Sequence, residues 1–213
     1  MANGVPLAAS LRWQGGPQGH LHAESSGRPA DPRGRLRALR RLKEARVGTF
    51  GHQELEQAFR VYWRTGAVGE DWDAWADLFT EDCVYVEHFY GTMRGRETVR
   101  AWIKPIMAKY GEIYTAYEWH VIDAAQGRVV FYMQNRRDHP GGQGTIDFPG
   151  ISILEYAGGG KWRSEEDFWS VTLREEAMRA YEDACRRCDP DHARRRTRSD
   201  WGNGPEWTRG ARS

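Results

Sequence analysis

The sequence lacks the features that would mark it as a secreted or membrane protein. It has only three cysteines, at positions 83, 185 and 188, which are too few and too unevenly placed for a disulfide framework. No apolar run approaches the length of a membrane span, and the N-terminus lacks the apolar stretch of a secretory signal. We therefore expect a cytoplasmic protein that does not contact the membrane.

Strong net charge and the common cofactor motifs are missing as well. The net charge is +1, so the total gives no reason to expect a nucleic-acid partner. The sequence contains no Gly-rich phosphate loop, nucleophile elbow or dinucleotide fingerprint. Cys185-x-x-Cys188 followed by His192 has the spacing of half a zinc site, but no second pair of ligands accompanies it. We accordingly predict no cofactor and no metal site.

Aromatic residues, in contrast, are abundant. They make up 12% of the chain, and ten of them are Trp. Tryptophan is bulky and amphipathic, so this excess suits either a packed core or a pocket for a flat, apolar ligand.

Composition divides the chain into three parts. Residues 1–50 are rich in Gly, Pro and Ser without a sustained apolar period, which predicts a disordered extension. Its basic end, residues 35–46, could form a short helix, either as a solvated tail or as an electrostatic contact with nucleic acid or membrane. Residues 51–188 form the predicted domain, and residues 189–213 are a predicted flexible Arg- and Gly-rich tail.

Hydrophobic periodicity assigns the elements of the domain. Apolar residues recur at helical spacing in three early segments, and the period changes to two in the later strands, which end in a last helix. We expect Asp71 to cap the second helix and Pro105 to kink or break the third. The predicted helices are 55–63, 72–79, 97–110 and 174–187, and the predicted strands are 83–88, 114–122, 129–136, 145–156 and 162–171.

The order of these elements predicts the fold class. Consecutive strands joined by short turns, such as Pro140-Gly141-Gly142, form an antiparallel meander. Helices first and a meander afterwards predict an α+β fold, in which the helices pack on one face of a curved, mostly antiparallel sheet and form a cone-shaped roll.

The run DLFTEDCVYVEHFYGTMRGRETVRAWI, residues 77–103, resembles the SnoaL-like branch of the nuclear-transport-factor-2-like superfamily. Its recurrent features are Leu78-Phe79, the acidic pair after them, an aromatic strand and a Gly-Arg-Glu entry into a helix. The resemblance covers roughly residues 52–185. It implies the roll of polyketide cyclases, ketosteroid isomerases and scytalone dehydratases, and it implies a homodimer. The same superfamily contains non-catalytic members, so the fold alone does not assign a function.

The resemblance to the isomerases suggests roles for four residues. Glu87 falls at the position of their general base, and a carboxylate at the mouth of an apolar cavity gains basicity. Tyr62 falls where they carry a donor to the developing oxyanion. Their second donor, an aspartic acid, corresponds here to Ser152. Trp169 falls at their pocket-lining tryptophan.

Histidine offers a competing arrangement. His120 and His139 fall near the two histidines of the scytalone dehydratase-like enzymes. Imidazole titrates near neutral pH, so such a pair could perform the acid–base steps of a dehydration.

The last predicted strand, SEEDFW at 164–169, is unusually acidic. Alternation puts Glu165, Asp167 and Trp169 on one face. If Trp169 lines the pocket, Asp167 is a second inward carboxylate that could orient His120 or act as the base; with the opposite parity these acids are solvated. Strand parity groups Tyr85 with Glu87. The weaker candidates for the pocket rim are Trp119, Asn135 and Asp147.

Two functions remain open. The first is a cofactor-independent cyclase, isomerase or dehydratase that acts on a small polycyclic or aromatic ketone. The second is a non-catalytic ligand-binding module or dimeric assembly module, with the pocket plugged by its own side chains.

Overall fold

The computed structural model describes residues 50–210. The predicted disorder of residues 1–49 and the possible basic helix at 35–46 lie outside the described residues, as do the last three residues of the predicted tail.

Helices and a single sheet make up the described part of the chain. A π-helical turn, Arg64–Val68, separates the first two helices, and short 3-10 turns occur at His192–Arg195 and Glu206–Thr208. The main elements are α1 (His52–Trp63), α2 (Trp72–Asp77), β1 (Phe79–Glu87), β2 (Gly91–Arg94), α3 (Arg96–Lys109), β3 (Tyr114–Asp123), β4 (Arg128–Asp138), β5 (Thr145–Gly158), β6 (Lys161–Trp169) and α4 (Val171–Cys188).

The sheet has the strand order β2-β1-β6-β5-β4-β3. Strands β3 to β6 form the predicted antiparallel meander, and β1 joins it by parallel pairing with β6. The α+β prediction is confirmed. The parallel pairing matters for function, because it places β1 beside the acidic strand β6 and brings Glu87 level with Asp167.

Most element boundaries agree with the periodicity, and the differences have local causes. The connection predicted before Gly95 contains a short strand, β2, that pairs with β1. Helix α4 begins three residues earlier than predicted, because Ser170 accepts a hydrogen bond from the Leu173 amide and acts as its N-cap. Asp71 caps α2 through the Ala74 amide at 3.0 Å, as predicted. Pro105 lies within α3 without ending it.

The predicted loose tail contributes buried side chains. Trp201 and Thr208 are buried, and the Thr208 carbonyl accepts a hydrogen bond from the Trp63 indole at 3.2 Å. Trp207 packs edge-on against Phe59 of α1. Residues up to 210 are therefore part of the packed domain, which composition alone could not indicate because these few apolar residues are dispersed among Arg and Gly.

Aromatic side chains fill the space between the helices and the sheet. Phe59 and Trp63 of α1 pack against Phe131 of β4, and Trp75 of α2 packs against Phe79 at the start of β1. These residues are almost completely buried. They close one end of the space under the helices, and the other end is an open cavity.

No helix among the described residues is both long enough and apolar enough to cross a membrane.

Candidate active site

A cavity of about 180 Å³ lies between the helices and the inner face of the sheet. Its wall is mainly aromatic and aliphatic, with ionisable groups supplied by the strands β1 and β6 and by α4. Its lining includes the side chains of Tyr62, Tyr85, Glu87, Tyr90, Trp102, Tyr110, Asn135, Ser152, Glu165, Asp167, Trp169 and Arg174.

Strand β6 supplies the acids of the cavity through its alternation. Glu165, Asp167 and Trp169 line the cavity. Phe168 points to the other face and is 41% exposed, and Glu166 on that face meets His88 at 3.0 Å. Of the two orientations left open by the sequence, the structure therefore has the one in which Asp167 and Trp169 point into the cavity.

Asp167 is held by two hydroxyl donors. Ser152 Oγ donates to its Oδ1 at 2.5 Å, and the Tyr85 hydroxyl donates to its Oδ2 at 2.5 Å. Burial raises the pKa of Asp167 to about 6, although these hydrogen bonds favour the ionised form. A carboxylate of this pKa is ionised at neutral pH and is a stronger base than an ordinary aspartate.

Glu165 lies next to Asp167 and deeper in the protein. It is 2% exposed, its Oε1 accepts a hydrogen bond from the Tyr62 hydroxyl at 2.7 Å, and its Oε2 has no partner among the described residues. Burial and the charge of Asp167 raise the pKa of Glu165 well above its usual range. Ionising both of two neighbouring buried carboxyl groups costs much free energy, because the two negative charges repel each other. Glu165 therefore stays protonated while Asp167 is ionised.

The phenols beside these acids stay protonated. Burial and the two carboxyl groups raise the pKa of Tyr62 and that of Tyr85 well above the ordinary value. Both are therefore hydrogen-bond donors at any physiological pH.

Glu87 reaches the cavity, but its carboxylate is already engaged. Its Oε2 accepts hydrogen bonds from the amides of Phe89 at 2.9 Å and Tyr90 at 2.6 Å, and its Oε1 accepts one from the Trp169 indole. These contacts close the β1–β2 turn and orient Trp169. With both oxygens engaged by these three donors, Glu87 serves the turn and Trp169 in this structure.

The two histidines and one tryptophan named from the sequence lie away from the cavity. His120 is held between the Tyr117 hydroxyl at 2.7 Å and Glu56 at 2.9 Å, beside helix α1. His139 accepts a hydrogen bond from the Gly141 amide in a turn. Trp119 stacks on Tyr132 and is 45% exposed. A bulge in β3 after Tyr117 shifts the strand's parity, and strand spacing alone did not indicate it.

Sequence reasoning missed several lining residues. Alternation puts Glu165 on the cavity face, but its burial depends on packing against Tyr62 of α1, which the strand pattern does not show. Arg174 belongs to a helix predicted to begin there, and Tyr90, Trp102 and Tyr110 were assigned to a connection and to the third helix. A helix start capped by Ser170 was the one signal that could have placed Arg174 close to the end of β6.

Among residues 50–210, no group of three or more His, Cys, Asp or Glu side chains is arranged to hold a metal ion. Cys185 and Cys188 are free thiols.

The sequence-family model of the SnoaL-like domain matches residues 56–165 of the chain. No curated protein matches the chain. Similar solved structures include a Catenulispora acidiphila protein with a ketosteroid isomerase-like fold in complex with trimethylamine, at 21% identity over 56% of this chain and 88% of that one, with a TM-score of 0.43.

Two further similar structures are from Mycobacterium tuberculosis. An LEH-like epoxide hydrolase is 14% identical over 62% of this chain and 94% of its own, with a TM-score of 0.49. A protein in complex with estradiol-17beta-hemisuccinate is 16% identical over 56% of this chain and 96% of its own, with a TM-score of 0.46.

Proposed function

The chain belongs to the SnoaL-like domain family, and from this premise we propose that it is a cofactor-independent enzyme that moves protons on a polycyclic or aromatic ketone. The observation that best supports this proposal is the pair of adjacent carboxyl groups, Glu165 and Asp167, in the wall of an open aromatic cavity. Isomerisation, cyclisation and dehydration of such ketones share one step, the removal of a proton from a carbon beside a carbonyl.

In the proposed step Asp167 is the general base. Its two oxygens have lone pairs beyond those used by Ser152 and Tyr85, and burial gives it a pKa close to working pH. This differs from the assignment that the resemblance suggested, in which Glu87 takes the proton, because Glu87 already accepts three hydrogen bonds.

Tyr62 supplies the donor for the oxygen of the forming enolate. Its hydroxyl lines the cavity, and its raised pKa keeps the proton on the phenol. In the resting site this proton is donated to Glu165. Because Glu165 is itself protonated, its carboxyl can donate to the Tyr62 oxygen when the ketone binds, and the phenolic proton is then available to the enolate oxygen. Such preorganised donors in a water-poor site stabilise developing negative charge strongly. Glu165 acts through its neighbours: it positions Tyr62 and, being neutral, allows Asp167 to ionise.

The aromatic wall would bind the rings of the ketone. Trp102 lies against Tyr85 with ring centroids 5.1 Å apart, and Trp169 stands at the end of β6. The open cavity with an inward acid also weighs against the competing idea of an assembly module whose pocket is plugged by its own side chains.

The test is exchange of the α-protons of 2-tetralone and 1-indanone with deuterium in D₂O, followed by proton NMR. We expect exchange to be faster with protein than in buffer and to rise with pH through about 6, because Asp167 must be ionised. Asp167→Asn should slow the protein-dependent exchange about 10²- to 10⁴-fold.

Glu87→Gln is the comparison variant. If it abolishes exchange while Asp167→Asn does not, the base is Glu87 and our assignment is wrong. If the wild type shows no exchange above the buffer rate, the enzymatic proposal is wrong and the chain is better described as a binding module.

A further inference from the structure

We propose that the ketone taken by this cavity also carries a carboxylate, and that Arg174 at the cavity mouth is its receptor. The inference rests on the proposed function, since it names a second feature of the same substrate. The experiment below uses binding alone, so that it can fail or succeed independently of catalysis.

Arg174 is held in a cage of aromatic rings. Its guanidinium carbon lies 5.5 to 5.7 Å from the ring centroids of Tyr110, Phe89 and Trp169. Cation–π contacts with three rings fix the plane of the group without neutralising its charge. The side chain lines the cavity and is only partly exposed, so its position is set by the protein rather than by solvent.

The charge of Arg174 has no carboxylate partner in the part of the chain that the structure describes. Its one hydrogen bond there is from Nη2 to the Tyr110 hydroxyl, at 3.1 Å. Glu87, the acid on the same side of the cavity, takes its three donors from Trp169 and from the amides of Phe89 and Tyr90. A guanidinium has five N–H donors, so most of those on Arg174 are available to a ligand.

Two more deeply buried arginines of the domain differ in this respect. Arg136 is paired with Asp147 at 2.8 Å, and Arg137 with Glu112 at 3.1 Å. A partly buried charge costs free energy unless an opposite charge accompanies it. At Arg174 the opposite charge is absent from residues 50–210, and the available space is the cavity itself.

The position of Arg174 sets the length of the substrate. Inward residues of a strand are spaced by about 6.6 Å, and Arg174 lies over the ring of Trp169, two residues beyond Asp167. Asp167 and Trp169 are thus about 7 Å apart along the strand, and we expect a similar separation between the reacting carbon at Asp167 and the carboxylate at Arg174. That separation is the span of one fused pair of rings or a little more. The planar fork of arginine matches a carboxylate in particular, because both oxygens can be bound at once.

The test compares 2-naphthoate with 2-naphthamide, two inert probes that differ in charge and not in shape. Isothermal titration calorimetry at pH 7.5 should give at least about tenfold tighter binding of the carboxylate to the wild type. Arg174→Gln should remove this preference and leave amide binding within about twofold, which also shows that the variant is folded. Added NaCl should weaken naphthoate binding only.

Arg179→Gln is the matched control, because Arg179 lies on the same helix, is exposed, and pairs with Glu175 instead of facing the cavity. It should keep the wild-type preference. Equal affinities in the wild type, failure of either probe to bind, or an unchanged preference in Arg174→Gln would overturn the inference.

The Asp167→Asn variant separates the two proposals. It should lose proton exchange yet still prefer naphthoate over naphthamide. A wild type that prefers naphthoate but catalyses no exchange would contradict the proposed function and leave Arg174 as the carboxylate receptor of a binding protein.

Discussion

At the scale of single residues, the site depends on which of two neighbouring carboxyl groups carries the negative charge. Glu165 and Asp167 stand two positions apart on β6 and face the same cavity. Glu165 lies deeper, with Tyr62 as its one hydrogen-bond donor, whereas Asp167 has both Ser152 and Tyr85. Asp167, which has more hydrogen-bond donors, ionises first, and Glu165 stays protonated. The pair therefore provides one base and one acid instead of two repelling charges.

The raised pKa of Asp167 implies a cost in stability at neutral pH. Its folded pKa of about 6 lies above the ordinary value of 3.8, so the native state binds more protons than the unfolded state between these values. The stabilising contribution is present below pH 4 and is lost as the pH rises through 6. Relative to the wild type, Asp167→Asn should therefore gain roughly 1–3 kcal/mol in unfolding free energy between pH 4 and pH 7.5.

Urea unfolding of both proteins across this range measures the difference. Asp82→Asn, which changes an exposed acid, is the control and should show no such trend. A difference between Asp167→Asn and wild type that is constant with pH would contradict the raised pKa.

At the scale of elements, the turn between α1 and α2 positions the aromatic wall. The π-helical turn at Arg64–Val68 lets Gly66 pack directly on the ring of Trp75, which in turn contacts Tyr62 and Tyr85. Glycine is required here for close approach and not for an unusual backbone angle.

Gly66→Ala should therefore destabilise the fold. A Cβ at this position would collide with the side chain of Trp75, and such overpacking costs about 1–3 kcal/mol. Because the Trp75 ring would shift against Tyr62 and Tyr85, the affinity for 2-naphthamide should fall as well. Chemical denaturation and calorimetry measure the two effects.

Gly51→Ser is the comparison for this variant. Gly51 is the N-cap of α1, and a Cβ there meets no atom within 4 Å. Stability should stay within about 0.5 kcal/mol of wild type or increase, since serine is a good N-cap. Equal losses in the two variants would rule out the packing explanation.

At the scale of the whole molecule, the outer face of the sheet exposes several large apolar side chains. Trp119 is paired with Tyr132, and Val121 with Val130, on the side away from the cavity. Trp119 and Val121 are 45% and 55% exposed, and Phe168 on β6 is 41% exposed. Apolar groups that lie together at a surface often mark an association site.

We predict that the protein is a homodimer through this face. Light scattering after size exclusion should give twice the mass of one chain for the wild type and a single-chain mass for Trp119→Glu. Leu173→Glu, which changes an exposed leucine of α4, should remain dimeric. A wild type that is monomeric at tens of micromolar would contradict the prediction.

The sequence by itself determined the order of the helices and of the longer strands, the α+β class, the family resemblance and the shared face of Asp167 and Trp169, but it did not indicate the short strand β2. These properties are local, because helix and strand periods are set by neighbouring residues. Depth and partnership depend instead on which distant segments meet. Tyr62 and Glu165 are 103 positions apart, and only packing makes one the hydrogen-bond partner of the other.

The same distinction explains the changed candidates. Only the tertiary structure decided that the Glu87 carboxylate accepts hydrogen bonds from the β1–β2 turn and from Trp169. It also decided that His120 pairs with Glu56 outside the cavity. The caging of Arg174 likewise needs rings from the β1–β2 turn, the end of α3 and the end of β6. The sequence specifies the functional group of each residue, but the charge state of that group and the groups that it can contact depend on the fold.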